Sequence, residues 1–274
     1  MKVKVPMSIV IGFDHQFFNG FGEKLDNLLK FLKPLGYSGI EIALLEPEKV
    51  PVKELNEILI SYQMKVSALG TGSTCLRFGY SIGHPESKIR EKAIERLKEY
   101  LKLSSNLEGI PKVIIGLIRG RLLYQQNKDD ARVNMFEALQ SIDPRAGELG
   151  VQMVLEPINR FEIDSLHTVA ETVQFINEAQ LENVYPMVDS FHLNLEENPA
   201  TIFNEIALVA KQIKHVHLAG CNRRAPGSGC YPFKKLLNTM SENGYWGFFS
   251  LETIMKPSFE EIAQESAKFL QKIT

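Results

Sequence analysis

The chain has 274 residues, 44% hydrophobic and 23% charged, with 31 basic against 33 acidic residues and a formal net charge of −2. That balance excludes the basic surface a nucleic-acid or anionic-membrane binder needs. The three cysteines, Cys75, Cys221 and Cys230, are too few and too scattered for a disulfide framework or a zinc knuckle, so a reducing cytoplasm is the expected setting.

The opening MKVKVPMSIVIGF sets two lysines before an apolar run that Pro6 breaks and Asp14 ends. It is too short for a secretory signal or a membrane span, and Ser8–Phe13 reads as a first strand. Leu25, Leu28, Leu29 and Leu32 then fall at helical spacing, predicting a helix over Glu23–Leu35. GIEIAL (Gly39–Leu44) precedes Val52–Tyr62, with Pro51 placed to start that helix. KVSALG (Lys65–Gly70) leads through a long Gly-rich loop into Glu86–Leu107, and KVIIGL (Lys112–Leu117) into Asp129–Leu149. QMVLEP with Val169–Ala179, YPMVDS with Thr201–Val209, IKHVHLAG with Phe233–Asn243, and FFSLET with Ser258–Ile273 complete the series.

Eight strand–helix units with no change of composition between them imply a parallel sheet, because each crossover needs a helix. The expected fold is α/β, a closed (β/α)8 TIM barrel forming one domain over residues 1–274. A doubly wound sheet is the competing reading, but GTGSTC has the wrong glycine spacing for a dinucleotide fingerprint and no Walker loop occurs.

In a barrel of this kind the chemistry sits at the C-terminal strand ends. The last four strands end in Glu156, Asp189, His217 and Glu252, each a single ionisable residue closing an apolar run. Three carboxylates left together would repel and take up protons, whereas a divalent cation satisfies all three. Three carboxylate oxygens and one imidazole nitrogen make a hard ligand set, which points to one divalent ion: Mn²⁺ first, with Mg²⁺ or Co²⁺ as alternatives. Such an ion polarises a chelated α-hydroxyketone, acidifies its neighbouring C–H and favours the enediolate. Two carboxylates on opposite sides of that carbon can then remove and return the proton.

Glu162, His192 and Arg223 follow the same strand ends by a few residues and can hydrogen-bond a polyol. His215 shares a strand face with His217 and is expected one layer deeper, bonded to a neighbouring strand. In the first-strand loop DHQFF, His15, Phe17 and Phe18 offer surfaces for sugar stacking.

The segments VLEPINRFE, MVDSFHLN, HVHLAGCNRRAPGSG and SLET, in this order, resemble the xylose-isomerase-like barrel superfamily and, within it, the ketose 3-epimerases of the D-tagatose and D-psicose type. IGLIRGR, GTGSTC and HPESKIREKAIER are similar to the 5-keto-L-gluconate epimerase branch. The resemblance implies a metal-dependent sugar isomerase or epimerase that acts on a small ketose or keto-sugar acid as a homo-oligomer, a dimer or tetramer. Glu156, Asp189, His217 and Glu252 would bind the metal, with Glu156 and Glu252 also the acid/base pair. Glu162, His192 and Arg223 would hold the substrate around its carbonyl. The IGLIRGR likeness adds Arg119 as a contact for a far carboxylate. SLETIM departs from the pattern of many sugar epimerases, which have Glu-Pro-Phe at that point.

Two other function classes compete. An abasic-site endonuclease-like metal phosphodiesterase needs several metals, many histidines and a basic surface, against six histidines and a charge of −2. A non-catalytic sugar-binding barrel would be expected to lack a ligand, and all four are present.

Overall fold

The computed structural model describes residues 5–121 and 128–274; the two N-terminal lysines lie outside them. The described residues carry nine strand segments: β1 (Met7–Phe13), β2 (Gly39–Leu44), β3 (Lys65–Gly70), β4 (Lys112–Ile115), β5 (Met153–Leu155), β6 (Val184–Pro186), β7 (Val188–Asp189), β8 (Val216–Leu218) and β9 (Phe249–Leu251). Every pairing is parallel, in the order β6-β5-β4-β3-β2-β1-β9-β8-β7.

The segments β6 and β7 are halves of one strand, so the nine segments are the eight expected strands. Pro186 has no amide proton to offer a ladder, and at Met187 the hydrogen bonds pass from one neighbour to the other. Met187 N–H donates to Leu155 O at 3.2 Å, and Val188 N–H to His215 O at 3.3 Å. That hand-over brings the sheet round to form the TIM barrel.

Eleven helices are described: α1 (His15–Phe18), α2 (Phe21–Leu32), α3 (Val52–Ser61), α4 (Gly72–Phe78), α5 (Ser87–Ser105), α6 (Lys128–Glu148), α7 (Val169–Glu178), α8 (Ser190–Glu196), α9 (Ile202–Val209), α10 (Phe233–Glu242) and α11 (Phe259–Ile273). Leu25, Leu29 and Leu32 of α2 and Leu55 and Leu59 of α3 are fully buried in the layer between helices and sheet. Each such leucine contributes about 1.5–3 kcal/mol by leaving water. Helix starts are fixed locally: Thr168 and Glu171 form a reciprocal capping box on α7, and Ser258 caps α11. No described helix is long and apolar enough to cross a membrane.

The barrel interior has two halves. Ala68, Ile114, Val154 and Met187 form a small apolar cluster of their own. The other half is polar, with Glu41, His215 and His217 all buried. Asp189 is in register with His217, His217 with Ser250, and Ser250 with Ser8, so these four residues occupy one layer.

The sequence expectations differ from the structure at short elements. The helix expected to reach Leu35 gives way after Leu32 to a 3-10 turn, Lys33–Leu35, around Pro34. The long loop after β3 contains α4, and α8 follows Asp189 directly. The fourth strand stops at Ile115, and a 3-10 turn, Leu117–Arg119, takes the chain off the strand line.

Candidate active site

Glu156 directly follows β5, Asp189 ends β7, His217 is central in β8, and Glu252 directly follows β9. One ligand atom from each lies within 4.8 Å of every other. His217 Nδ1 is 3.1 Å from Glu252 Oε2, 3.4 Å from Glu156 Oε1 and 3.8 Å from Asp189 Oδ2. Glu156 Oε1 and His217 Nδ1 are both buried without a hydrogen-bond partner. Two such orphans facing one point are costly in a folded chain unless something binds there. The four residues therefore fit a divalent cation in donor type, convergence and unmet coordination.

Glu156 has room because Gly116 lacks a side chain. A Cβ at 116 would stand 2.6 Å from Glu156 Oε2. Asp189 accepts from the backbone N–H of Phe191 at 2.7 Å as it caps α8, which fixes its other oxygen. Burial alone would raise its pKa, but Arg223, His192 and His217 hold it at about 2.

Beneath the cluster lies a residue the sequence reading missed. Glu41 of β2 accepts from His217 Nε2 at 2.9 Å and from His215 Nε2 at 2.7 Å. His215 is inward and one layer deeper, as expected. Its partner, however, is three strands round the barrel rather than on a neighbouring strand. Two alternate residues on one strand face reach a single carboxylate because both project toward the axis. A charge in the middle of GIEIAL was the available signal. Burial disfavours a charged His217, yet Glu41 and Glu252 hold its pKa well above the ordinary imidazole value. For His215 burial wins, and its pKa falls.

Around the cluster is a cavity of about 200 Å³ whose lining includes Glu41, Glu156, Glu162, His192, Arg223 and Glu252. Asn159, also missed from sequence, organises two of these. Its side-chain Nδ2 contacts Glu162 Oε1 at 2.9 Å and His192 Nδ1 at 2.7 Å. Its backbone N–H also faces His192 Nδ1, at 3.4 Å. Nδ1 is thus the acceptor, and the Nε2–H of His192 faces Asp189 Oδ2 and Glu156 Oε1 at 3.7 and 3.9 Å. Arg223 bonds Asp189 Oδ2 at 2.7 Å, pairs with Glu252 Oε2 and lies over the Phe191 ring.

Arg119 stands apart from the other candidate residues. It is fully buried and absent from the cavity wall. Its guanidinium bonds Glu156 O, Ser165 O at 2.9 Å and Leu166 O at 3.2 Å. Burial draws its pKa down to about 10 despite the nearby carboxylates. The 3-10 turn points this side chain under the loop after β5, where it braces the backbone of Glu156 and does not line the cavity. Arg121 donates to Glu162 O through Nε and Nη2, and Arg224 is exposed. Phe17 and Phe18 also fall outside the cavity wall and pack with Phe13 and Phe21.

Residues 29–273 match the family model described as xylose isomerase-like TIM barrel. The chain belongs to that family. Among xylose isomerase-like proteins, it is 28% identical over 232 residues to a D-psicose 3-epimerase of Ruminiclostridium cellulolyticum, covering 81% of this chain and 75% of that one. It is 23% identical over 249 residues to the 3-dehydro-D-guloside 4-epimerase of Escherichia coli, covering 88% and 91%. The solved structure of an L-ribulose 3-epimerase superposes with a TM-score of 0.83 at 22% identity, covering 98% of this chain and 94% of that one. This likeness places the fold within the family's barrels.

Proposed function

We propose that this xylose isomerase-like chain is a metal-dependent sugar epimerase that inverts the carbon next to a carbonyl in a small keto-sugar. The observation that carries the reading is the convergence of Glu156, Asp189, His217 and Glu252 around two unpartnered buried atoms. It is supported by relatives named as ketose 3-epimerases and a keto-guloside 4-epimerase. The four residues would hold one divalent cation, Mn²⁺ in our reading, with Mg²⁺ or Co²⁺ able to substitute in so oxygen-rich a set. When bound, that cation polarises the substrate carbonyl and lowers the barrier to losing the neighbouring proton.

The protein's own groups do the rest. Glu156 and Glu252 reach the centre from the ends of β5 and β9, and together they hold and return the proton on opposite faces of the carbon. His192 offers an N–H beside Asp189 and Glu156, while Asn159 orients Glu162 toward a substrate hydroxyl. Arg223 places a guanidinium next to two of the carboxylates, where it can also take the carbonyl-side oxygen.

A neutral keto-sugar fits better than a keto-acid. Arg119 is committed to backbone carbonyls, and Arg223, already paired with Asp189 and Glu252, is assigned to the carbonyl end of the substrate. Among the described cavity residues no further guanidinium is present to pair with a substrate carboxylate. The test is a panel of ketoses, keto-glycosides and keto-acids in D₂O with Mn²⁺, following solvent deuterium at the carbon beside each carbonyl. Exchange with neutral keto-sugars is expected. Absence of exchange across the panel with metal-loaded protein refutes the reading, and preference for a keto-acid refutes its substrate class.

A further inference from the structure

The loop after β8 carries Arg223, and it is flanked by the two remaining cysteines outside the barrel wall. Cys221 Sγ and Cys230 Sγ lie 3.1 Å apart although nine positions separate them in sequence. Both are free thiols, Cys221 partly exposed and Cys230 exposed. The turn between them depends on Gly227, which has a φ of 97° and where a Cβ would press on the Phe269 ring at 2.6 Å. Arg223 itself sits in the left-handed region at φ 60°, a costly backbone state for a long side chain. Its carbonyl is held by Ile254 N–H at 2.7 Å and its N–H by Gly220 O at 2.9 Å.

We propose that Cys221 and Cys230 form a reversible thiol–disulfide couple that pins the Arg223 loop, with a low-molecular-weight disulfide as oxidant. The Cys221 thiolate attacks one sulfur of that disulfide and expels the first small thiolate, leaving a mixed disulfide on Cys221. The Cys230 thiolate then attacks Cys221 Sγ and expels the second. The protein loses two electrons and two protons, the small disulfide gains both, and one S–S bond replaces another. Cys221 is the nucleophile. Its partial burial opposes ionisation, but the Cys230 thiol and the backbone amides of Cys230 and Tyr231 outweigh that and lower its pKa. Cys75 lies in α4, on another βα-loop, while the sulfur–sulfur contact joins Cys221 to Cys230.

Closing the bond joins the two ends of the loop with Arg223 between them, so the guanidinium keeps its place beside Asp189 and Glu252. Reduction frees those ends, and the loop is then held by backbone hydrogen bonds and the two ion pairs. Fewer conformations remain in the oxidised loop, which favours the bound arrangement before a substrate arrives.

The experiment incubates full-length protein with reduced and oxidised glutathione at set ratios, then maps peptides by mass spectrometry and times tryptic cleavage after Arg223 and Arg224. The expected product is one internal bond between Cys221 and Cys230, with cleavage slowed about tenfold. C221S and C230S should instead each retain a glutathione adduct on the remaining cysteine and cleave at the reduced rate. Two adducts without an internal bond in the wild type overturn the proposal, and so does an internal bond that leaves cleavage unchanged. A further readout rests on the function proposed above: KM for the keto-sugar should fall about threefold on oxidation, with kcat little changed. Slowed cleavage with an unchanged KM leaves the pin standing and removes Arg223 from the substrate contacts.

Discussion

Glu41 and His217 form the axis on which the candidate centre is built: with Nε2 bonded to Glu41 at 2.9 Å, the ring can present only Nδ1 to the three carboxylates above. A carboxylate behind a ligating histidine fixes its tautomer and raises its basicity. E41Q keeps the shape and removes the charge, so metal affinity should fall about 10- to 100-fold. Isothermal titration with Mn²⁺ checks this, and an unchanged affinity would mean Glu41 is only interior filling.

Proton release should accompany metal binding. Without the cation, Glu41 and Glu252 keep His217 protonated well above the usual imidazole range, although burial opposes the charge. A cation must displace the Nδ1 proton. Below the His217 pKa, each unit rise in pH therefore raises apparent affinity about tenfold. Titrations in buffers of different ionisation enthalpy should report net proton release as the ion binds. Zero release is the contrary result.

E156Q and E252Q separate acid/base chemistry from metal binding. At saturating Mn²⁺ each should lower epimerisation by about 100-fold or more. Full turnover in either metal-bearing variant excludes that residue from proton transfer.

Gly116 tests the space around Glu156. A methyl at this position meets Oε2 at 2.6 Å, so G116A must push the carboxylate aside. A displacement of this order should lower kcat/KM by about 10- to 100-fold. Wild-type kinetics in a folded G116A protein would show that Glu156 need not hold this position.

R119A should act on stability. It strips the donor from the buried carbonyls of Glu156 and Leu166 and the half-buried one of Ser165, at a cost of about 3–5 kcal/mol. Thermal unfolding reads the loss. The ratio of keto-acid to neutral-sugar kcat/KM should not change, and a change in that ratio would return Arg119 to the substrate.

Much of this was legible because it depends on period. Apolar strands and helices of ordinary length announce themselves by spacing, and an ionisable residue closing an apolar run marks a strand end; hence Glu156, Asp189, His217 and Glu252. Helices of seven residues such as α4 and α8 complete too few turns to show periodicity. The burial of Arg119 is not legible, because position in sequence does not give the direction of a side chain after a 3-10 turn. Asn159 was missed because an asparagine in a polar loop looks ordinary until its neighbours are known. The meeting of Glu41 with His215 depends on barrel curvature, which no local pattern records.

The strand broken at Met187 has a mechanical consequence. Between β7 and β8 only two residue pairs are in register, and one of them is Asp189 with His217. The shortest ladder of the barrel thus runs directly beneath the cation's proposed seat. An ion held by Glu156, Asp189 and His217 ties β5, β7 and β8 together across that seam, as a hoop holds staves. Occupancy and closure of the wall then become one cooperative event, and amide hydrogen exchange at Met187 and Val188 should register the ion's arrival.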